Sequence, residues 1–196
     1  MRILNLPNQV TLARLLLSAV LFTLLALAGT DRVVIAGTTG WVAFGLFVLA
    51  SATDWLDGYL ARKLSLVTPF GRIMDPFVDK VSTCGTFVFL AVIDPTITPA
   101  WIVVAILGRE FFVQAIRSYL ESRGVAFAAE MHGKVKYVLQ CCAIGALIMQ
   151  HAGTSEMPSW WTLFAKILLW IALASTVWSG WVYLRKALAH LRSVEG

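Results

Sequence analysis

Residues 33–52 read VVIAGTTGWVAFGLFVLASA, twenty positions without a charge. A run of that length and apolarity, coiled as a helix, spans the roughly 30 Å hydrocarbon core of a bilayer. Working outward, residues 10–28 are apolar apart from Arg14 and a few hydroxyls. Residues 81–93 are clean but short, so that helix must start earlier, near Thr68 or Gly71. A fourth apolar segment opens at 101–107 and continues through Ile116, a fifth covers 137–149, and a sixth covers 160–184, broken by Lys166. Gly29-Thr30-Asp31, Asp94-Pro95-Thr96 and Gly153-Thr154-Ser155 with Pro158 are the turn signals between them. The expected fold is all-α, a polytopic membrane protein with six transmembrane helices and one domain over residues 1–196.

Composition agrees. Of 196 residues, 59% are hydrophobic and 14% charged, with a mean hydropathy of +0.77; a soluble domain carries about a quarter charged residues. Disorder, a nucleic-acid-binding domain and an ordinary cytosolic globule are excluded. The net charge of +5 fits basic inner loops or a site for anionic substrates, with no nucleic acid as partner. Arg2, the apolar run that follows and Ala26-Leu27-Ala28 have the outline of a cleaved secretory signal. Arg14 inside that run and the equal hydrophobicity downstream favour a retained first helix. Cys84, Cys141 and Cys142 lack metal-ligand spacing and read as small core residues.

Lys and Arg set the orientation. The turns at 29–32, 94–100 and 150–159 hold only Arg32. The opposite side holds Arg2, Arg62, Lys63, Arg72, Lys80, Arg123, Lys134, Lys136, Arg185, Lys186 and Arg192. By the positive-inside rule both termini are cytoplasmic, consistent with an even number of spans. Trp101, Trp160 and Trp161 follow outer turns, as interfacial anchors do.

Four acids then stand out. Asp54 and Asp57 are three residues apart and share a helix face, continued by Gly58 and Ala61. Gly71, Asp75 and Asp79 are spaced by four and form a stripe on the next helix. Two adjacent antiparallel helices aim these carboxylates at one point. Each charge at a helix centre costs about 2.5–3.5 kcal/mol to insert, so four cost on the order of 10 kcal/mol. One or two divalent cations relieve that cost, and hard oxygen ligands suit Mg²⁺ or Mn²⁺. Two such ions can clamp a pyrophosphate. Arg62 can neutralise a phosphate, and Gly58, Ala61 and Gly71 let a ligand approach the backbone. The plain alternative is an interfacial rim in which the acids pair with Arg62, Lys63, Arg72 and Lys80.

Residues 54–79 match the pattern D-x2-D-G-x2-A-R-x8-G-x3-D-x3-D. This resembles the signature of the CDP-alcohol phosphatidyltransferase family. The resemblance implies a membrane enzyme, commonly a homodimer, that uses two divalent cations and transfers a phosphatidyl group from CDP-diacylglycerol to an alcohol with release of CMP. It further implies Asp54, Asp57, Asp75 and Asp79 as metal ligands and Asp79 also as the catalytic base. Gly58, Ala61, Arg62 and Gly71 would lie against the CDP-diacylglycerol headgroup.

The acceptor is read elsewhere. Arg109, Arg117, Lys134 and Lys136 are the remaining inner cations, with no obvious dedicated acid partner, although Arg109 could pair with Glu110, Glu121 or one of the Asp residues. They point to an anionic, phosphorylated acceptor. Gly108-Arg109-Glu110, Arg117, Arg123-Gly124-Val125 and Gly133-Lys134-Val135-Lys136 resemble the bacterial phosphatidylglycerophosphate synthase branch of the family. The opening segment with Asn8, Thr11 and Arg14 does too, and in that branch these three would help hold CDP. The likeness implies sn-glycerol 3-phosphate as acceptor, a location in the bacterial cytoplasmic (inner) membrane among membrane lipids, and a site facing the cytoplasm. Tyr137 stands where Thr is expected and Ser18 where Pro is expected. Inositol phosphate is the rival acceptor; a membrane cation transporter and a structural scaffold are the rivals of another class.

Overall fold

The structure, a computed structural model, describes residues 6–29, 37–63, 69–123, 131–152 and 157–195, with the side chains of 6–7, 29, 54–63, 69–70, 72 and 190–195 excepted. The described residues form six helices: α1 (Leu6–Gly29), α2 (Thr38–Lys63), α3 (Pro69–Ile93), α4 (Ala100–Ser122), α5 (Met131–Ala152) and α6 (Ser159–Glu195). The all-helical expectation holds, with one helix per apolar segment. The helices outrun the apolar runs: α4 continues to Ser122, α5 starts at Met131 and α6 reaches Glu195. Charged ends protrude beyond apolar middles. Among the described residues, 8–28 of α1, 73–93 of α3 and 159–189 of α6 are long and apolar enough to cross a membrane, and 38–53 of α2 form a shorter apolar helix.

The helices form a closed ring in the order α1, α2, α5, α6, α4, α3, and α3 meets α5 across the middle. Directions follow from specific contacts. Thr11 meets Asp75 and Phe22 meets Phe89, so α1 and α3 run parallel. Trp101 meets Trp170 edge-on and Arg109 bonds Ser179, so α4 and α6 run parallel. Trp161 bonds the Ala146 carbonyl while Gln140 bonds Thr176, so α5 and α6 are antiparallel. One end of the ring therefore gathers the starts of α1, α3 and α5 and the ends of α4 and α6, which is the cation-rich end of the sequence.

Two turn regions explain how the other end closes. Asp94 Oδ1 accepts hydrogen bonds from the Thr96 and Ile97 amides at 2.9 and 3.2 Å and from the Thr96 hydroxyl at 2.6 Å. This Asx turn caps the chain between α3 and α4. Burial pushes the Asp94 carboxyl up, but these bonds outweigh it and hold the acid below its ordinary value. Gly37 adopts φ 61°, a left-handed conformation open to glycine, and donates its amide to the Ala152 carbonyl at 2.7 Å. One turn on, Gly40 lies directly against the Ala152 backbone, where a Cβ would overlap it. The turns expected at 29–32 and 153–155 lie largely outside the described residues.

Leu21, Leu25, Phe47, Phe87, Leu90, Ile106, Ile144, Leu147 and Leu169 form the buried core. The outward faces are equally apolar: Leu16 is 62% and Val104 68% exposed. Apolar exposure on this scale requires a non-aqueous surround, so this is a membrane protein. Two readings are corrected. Trp101 and Trp160 are exposed at helix starts, but Trp161 is half-buried and bonds the backbone of α5, so it packs rather than anchors. Cys84 is a core residue, whereas Cys141 and Cys142 are not fully buried and line the central cavity.

Candidate active site

A cavity of about 1430 Å³ lies among α2 to α6. Asp79, Arg109, Arg117, Lys134 and Lys136 all line it at the cation-rich end. Its other end is apolar, walled by Phe44, Phe47 and Val48 of α2 and by Trp161, Phe164 and Leu168 of α6. A polar head with an apolar trough suits an amphiphile lying half in the bilayer.

The acidic corner is built by α3 against α1. Asp75 and Asp79 are one helical turn apart, so both side chains leave the same face. Asn8, Thr11 and Arg14 are all buried, at three-residue intervals on α1. Thr11 Oγ1 donates to Asp75 Oδ1 at 2.7 Å. The fields of Arg14, Lys80 and Lys136 reach Asp79, and the Tyr137 hydroxyl bonds its carboxylate. Gly71 is buried one turn before Asp75. Asp54, Asp57, Gly58, Ala61 and Arg62 belong to the last turns of α2, and their side chains lie outside the described residues. Among the described residues no group of three metal-ligating side chains occurs. The α3 half offers hard oxygen donors on one face, a donor set that fits Mg²⁺ or Mn²⁺.

The cationic corner is built by α4, α5 and α6, and here the structure corrects the sequence. Glu110 is the acid partner the sequence offered Arg109 as an alternative, and it also serves Lys136, for which no acid partner was expected. It is 6% exposed, pairs with Lys136 and lies 3.2 Å from Arg109 Nη1. Gln140 donates to it at 3.5 Å and to Thr176 Oγ1 at 3.0 Å. Arg117 forms no ion pair among the described residues; its Nη2 donates to Tyr183 Oη at 3.1 Å. Lys134 is exposed at the cavity mouth. Sequence reasoning missed Gln140, Thr176, Ser179 and Tyr183. The available signal was their polarity inside otherwise apolar helices, where side-chain polar groups seek partners across helices.

The two departures noted in the sequence have different weight. Ser18 bonds back to the Arg14 carbonyl at 2.9 Å and stays within α1. Tyr137 reaches the acidic corner itself and is linked through Cys141 to Ser51 of α2.

Residues 4–178 match the sequence profile of the CDP-alcohol phosphatidyltransferase family. The chain belongs to that family. The CDP-alcohol phosphatidyltransferase match covers α1 to α5 and the first half of α6. The chain is 40% identical over 198 residues to a CDP-diacylglycerol–glycerol-3-phosphate 3-phosphatidyltransferase of Bacillus subtilis, covering 96% of this chain and 98% of the relative. It is 35% identical to the protein of the same name from Rickettsia typhi, over 92% of this chain and 96% of that one. It is 30% identical to a CMP-forming cardiolipin synthase of rice, over 94% of this chain and 58% of the relative. Membership in a CDP-alcohol phosphatidyltransferase family makes this an enzyme and sets aside the transporter and scaffold readings.

Proposed function

We propose that this chain transfers the phosphatidyl group of CDP-diacylglycerol to sn-glycerol 3-phosphate, giving phosphatidylglycerol phosphate and CMP. The observation that carries this reading is one cavity lined by Asp79 and by the cations Arg109, Arg117, Lys134 and Lys136, among others, with an apolar trough opening from it. It is supported by the names of the Bacillus and Rickettsia relatives. The six helices span the inner membrane in this reading, and the cation-rich end faces the cytoplasm.

Asp54, Asp57, Asp75 and Asp79 would hold two divalent cations, Mg²⁺ or Mn²⁺, which when bound offset the charge of the pyrophosphate and of the reacting phosphoryl group. Asn8, Thr11, Arg14, Gly58, Ala61, Arg62 and Gly71 surround the cytidine and its phosphates. The acyl chains lie in the trough along Phe44, Phe47 and Phe164. Asp79 takes the proton of the acceptor hydroxyl while that oxygen bonds the β-phosphorus and the phosphorus–oxygen bond to CMP breaks. Arg117 and Lys134, free of acid partners among the described residues, meet the acceptor's phosphate, and Arg109 lends the part of its charge that Glu110 leaves. Lys136 is buried against Glu110 and shapes this corner from within. The active form is a homodimer in this proposal.

Purified protein in detergent or nanodiscs, given CDP-diacylglycerol, Mg²⁺ and glycerol 3-phosphate, should release CMP and form phosphatidylglycerol phosphate. Absence of CMP under several lipid conditions removes the assignment. Competition with inositol phosphate in the same assay tests the acceptor.

A further inference from the structure

We propose that Tyr183 is a positioning residue for the acceptor site: from α6 it seats Arg117 and Arg109 in the geometry that receives a phosphorylated acceptor. This rests on the reading of the cationic corner given above and adds a residue to it.

Arg109 and Arg117 are eight residues apart on α4, about 12 Å along the axis at 1.5 Å per residue. Long arginine side chains carry substantial rotamer freedom, so two guanidinium groups that far apart converge only if something holds them. The holding element is one stripe of α6. Ser179 Oγ accepts a hydrogen bond from Arg109 Nη2 at 2.9 Å. Gly180 follows, and a Cβ there would come within 3.0 Å of Arg109 Cγ, so its bareness lets the side chain pass. Tyr183 completes the stripe. Its ring centre lies 5.7 Å from the guanidinium carbon of each arginine, within cation–π range. Its hydroxyl accepts from Arg117 Nη2 at 3.1 Å. Tyr183 as a whole is only 3% exposed.

Two further observations direct this arrangement toward a ligand. The Nε atoms of Arg109 and of Arg117 are buried without a hydrogen-bond partner, although a guanidinium has five donors to satisfy. Tyr183 lines the same cavity as both arginines and Lys134. A neutral ring suits this role because it fixes a cation without cancelling its charge, as a carboxylate would. A phosphate that meets pre-oriented cations avoids the entropic cost of ordering those side chains on binding.

Tyr183→Phe removes the hydroxyl and keeps the ring. It should raise KM for glycerol 3-phosphate about five- to tenfold, as losing one hydrogen bond of about 1 kcal/mol or slightly more implies, with kcat and KM for CDP-diacylglycerol unchanged within about twofold. Tyr183→Leu should raise the acceptor KM further. In an Arg117→Ala background, Tyr183→Phe should add almost nothing. Calorimetric binding of inorganic phosphate gives a readout without turnover, and its Kd should weaken by the same factor in Tyr183→Phe. Equal rises in both KM values, a loss confined to kcat, full additivity with Arg117→Ala, or unchanged phosphate binding each overturn the proposal. Wild-type CMP release with glycerol 3-phosphate, measured alongside, reports on the proposed reaction separately: if it fails while phosphate binding still depends on Tyr183, the seat stands and the acceptor assignment falls.

Discussion

The acidic and cationic corners of the site are built on opposite plans. The acids of α3 take hydrogen bonds from neutral groups, Thr11 to Asp75 and Tyr137 to Asp79, and the fields of Arg14, Lys80 and Lys136 reach Asp79. The cations of α4 and α5 are organised around an internal acid, Glu110, with Gln140 and Thr176 completing the network. The first plan leaves negative charge available for an external cation. The second neutralises what lies deepest and leaves Arg117 and Lys134, nearer the mouth, to act outward. A buried ion pair contributes little net stability, yet removing one member leaves an uncompensated charge. Only the second corner should therefore couple its charge strongly to folding.

The largest expected effect separates the corners outright. Asp79→Asn should lower CMP release about a thousandfold or more, the upper range for loss of a general base, while the melting temperature stays near that of the parent. An active variant removes Asp79 from the reaction. Glu110→Ala should do the reverse kind of damage, destabilising by about 3–5 kcal/mol because Lys136 and Arg109 lose their partner. Thermal unfolding in detergent reads this, and Glu110→Ala with Lys136→Met should recover a good part of it. A Glu110→Ala protein as stable as the parent breaks the comparison. Arg117→Ala should raise KM for the phosphorylated acceptor roughly 10- to 100-fold and leave that for CDP-diacylglycerol nearly unchanged, the signature of a cation outside the internal network. Equal effects on both substrates would return Arg117 to a structural role.

Two smaller predictions concern the scaffold at the far end. Gly40→Val forces α2 away from Ala152 and should cost about 1–3 kcal/mol, as overpacking does, with a lower melting temperature. The Asx turn gives a pH effect of definite sign. The Asp94 carboxyl lies below its ordinary value when folded, so its contribution is present above the unfolded value near 3.9 and fades as pH falls through the folded one. Melting curves at pH 6 and pH 3.5 should show a modest loss at the lower pH, reduced in Asp94→Asn.

Much of this architecture is legible in the sequence because its determinants are local. Apolar runs of helical length are set by bilayer thickness, and Asp94-Pro95-Thr96 announces its turn through side-chain chemistry that acts within three residues. The stripe joining Asp75 and Asp79 follows from helical spacing alone. What was not legible depends on pairing between helices. Glu110 follows Arg109 directly in sequence and reads as its neighbour, yet its main partner, Lys136, is 26 residues away on α5. Tyr183 reads as one more aromatic in α6, and only the parallel packing of α4 on α6 brings it to Arg117. The cysteines misled for the same reason: Cys141 and Cys142 sit in an apolar run whose inner face turns out to line a cavity.

The ion network around Glu110 also bears on how the chain is made. Among the described residues, α1, α3 and α6 contain stretches apolar enough to cross a bilayer unaided, while α4 and α5 do not. In a six-span arrangement α4 arrives carrying Arg109, Glu110 and Arg117 before Lys136 of α5 or Tyr183 of α6 has been synthesised. An unpaired charge is tolerated poorly in hydrocarbon. A nascent α4 in that arrangement would wait at the insertion machinery or the interface until its later partners emerge. In that arrangement insertion of α4 and α5 is expected to be cooperative, and truncation after α4 should yield a chain that is degraded rather than half an enzyme.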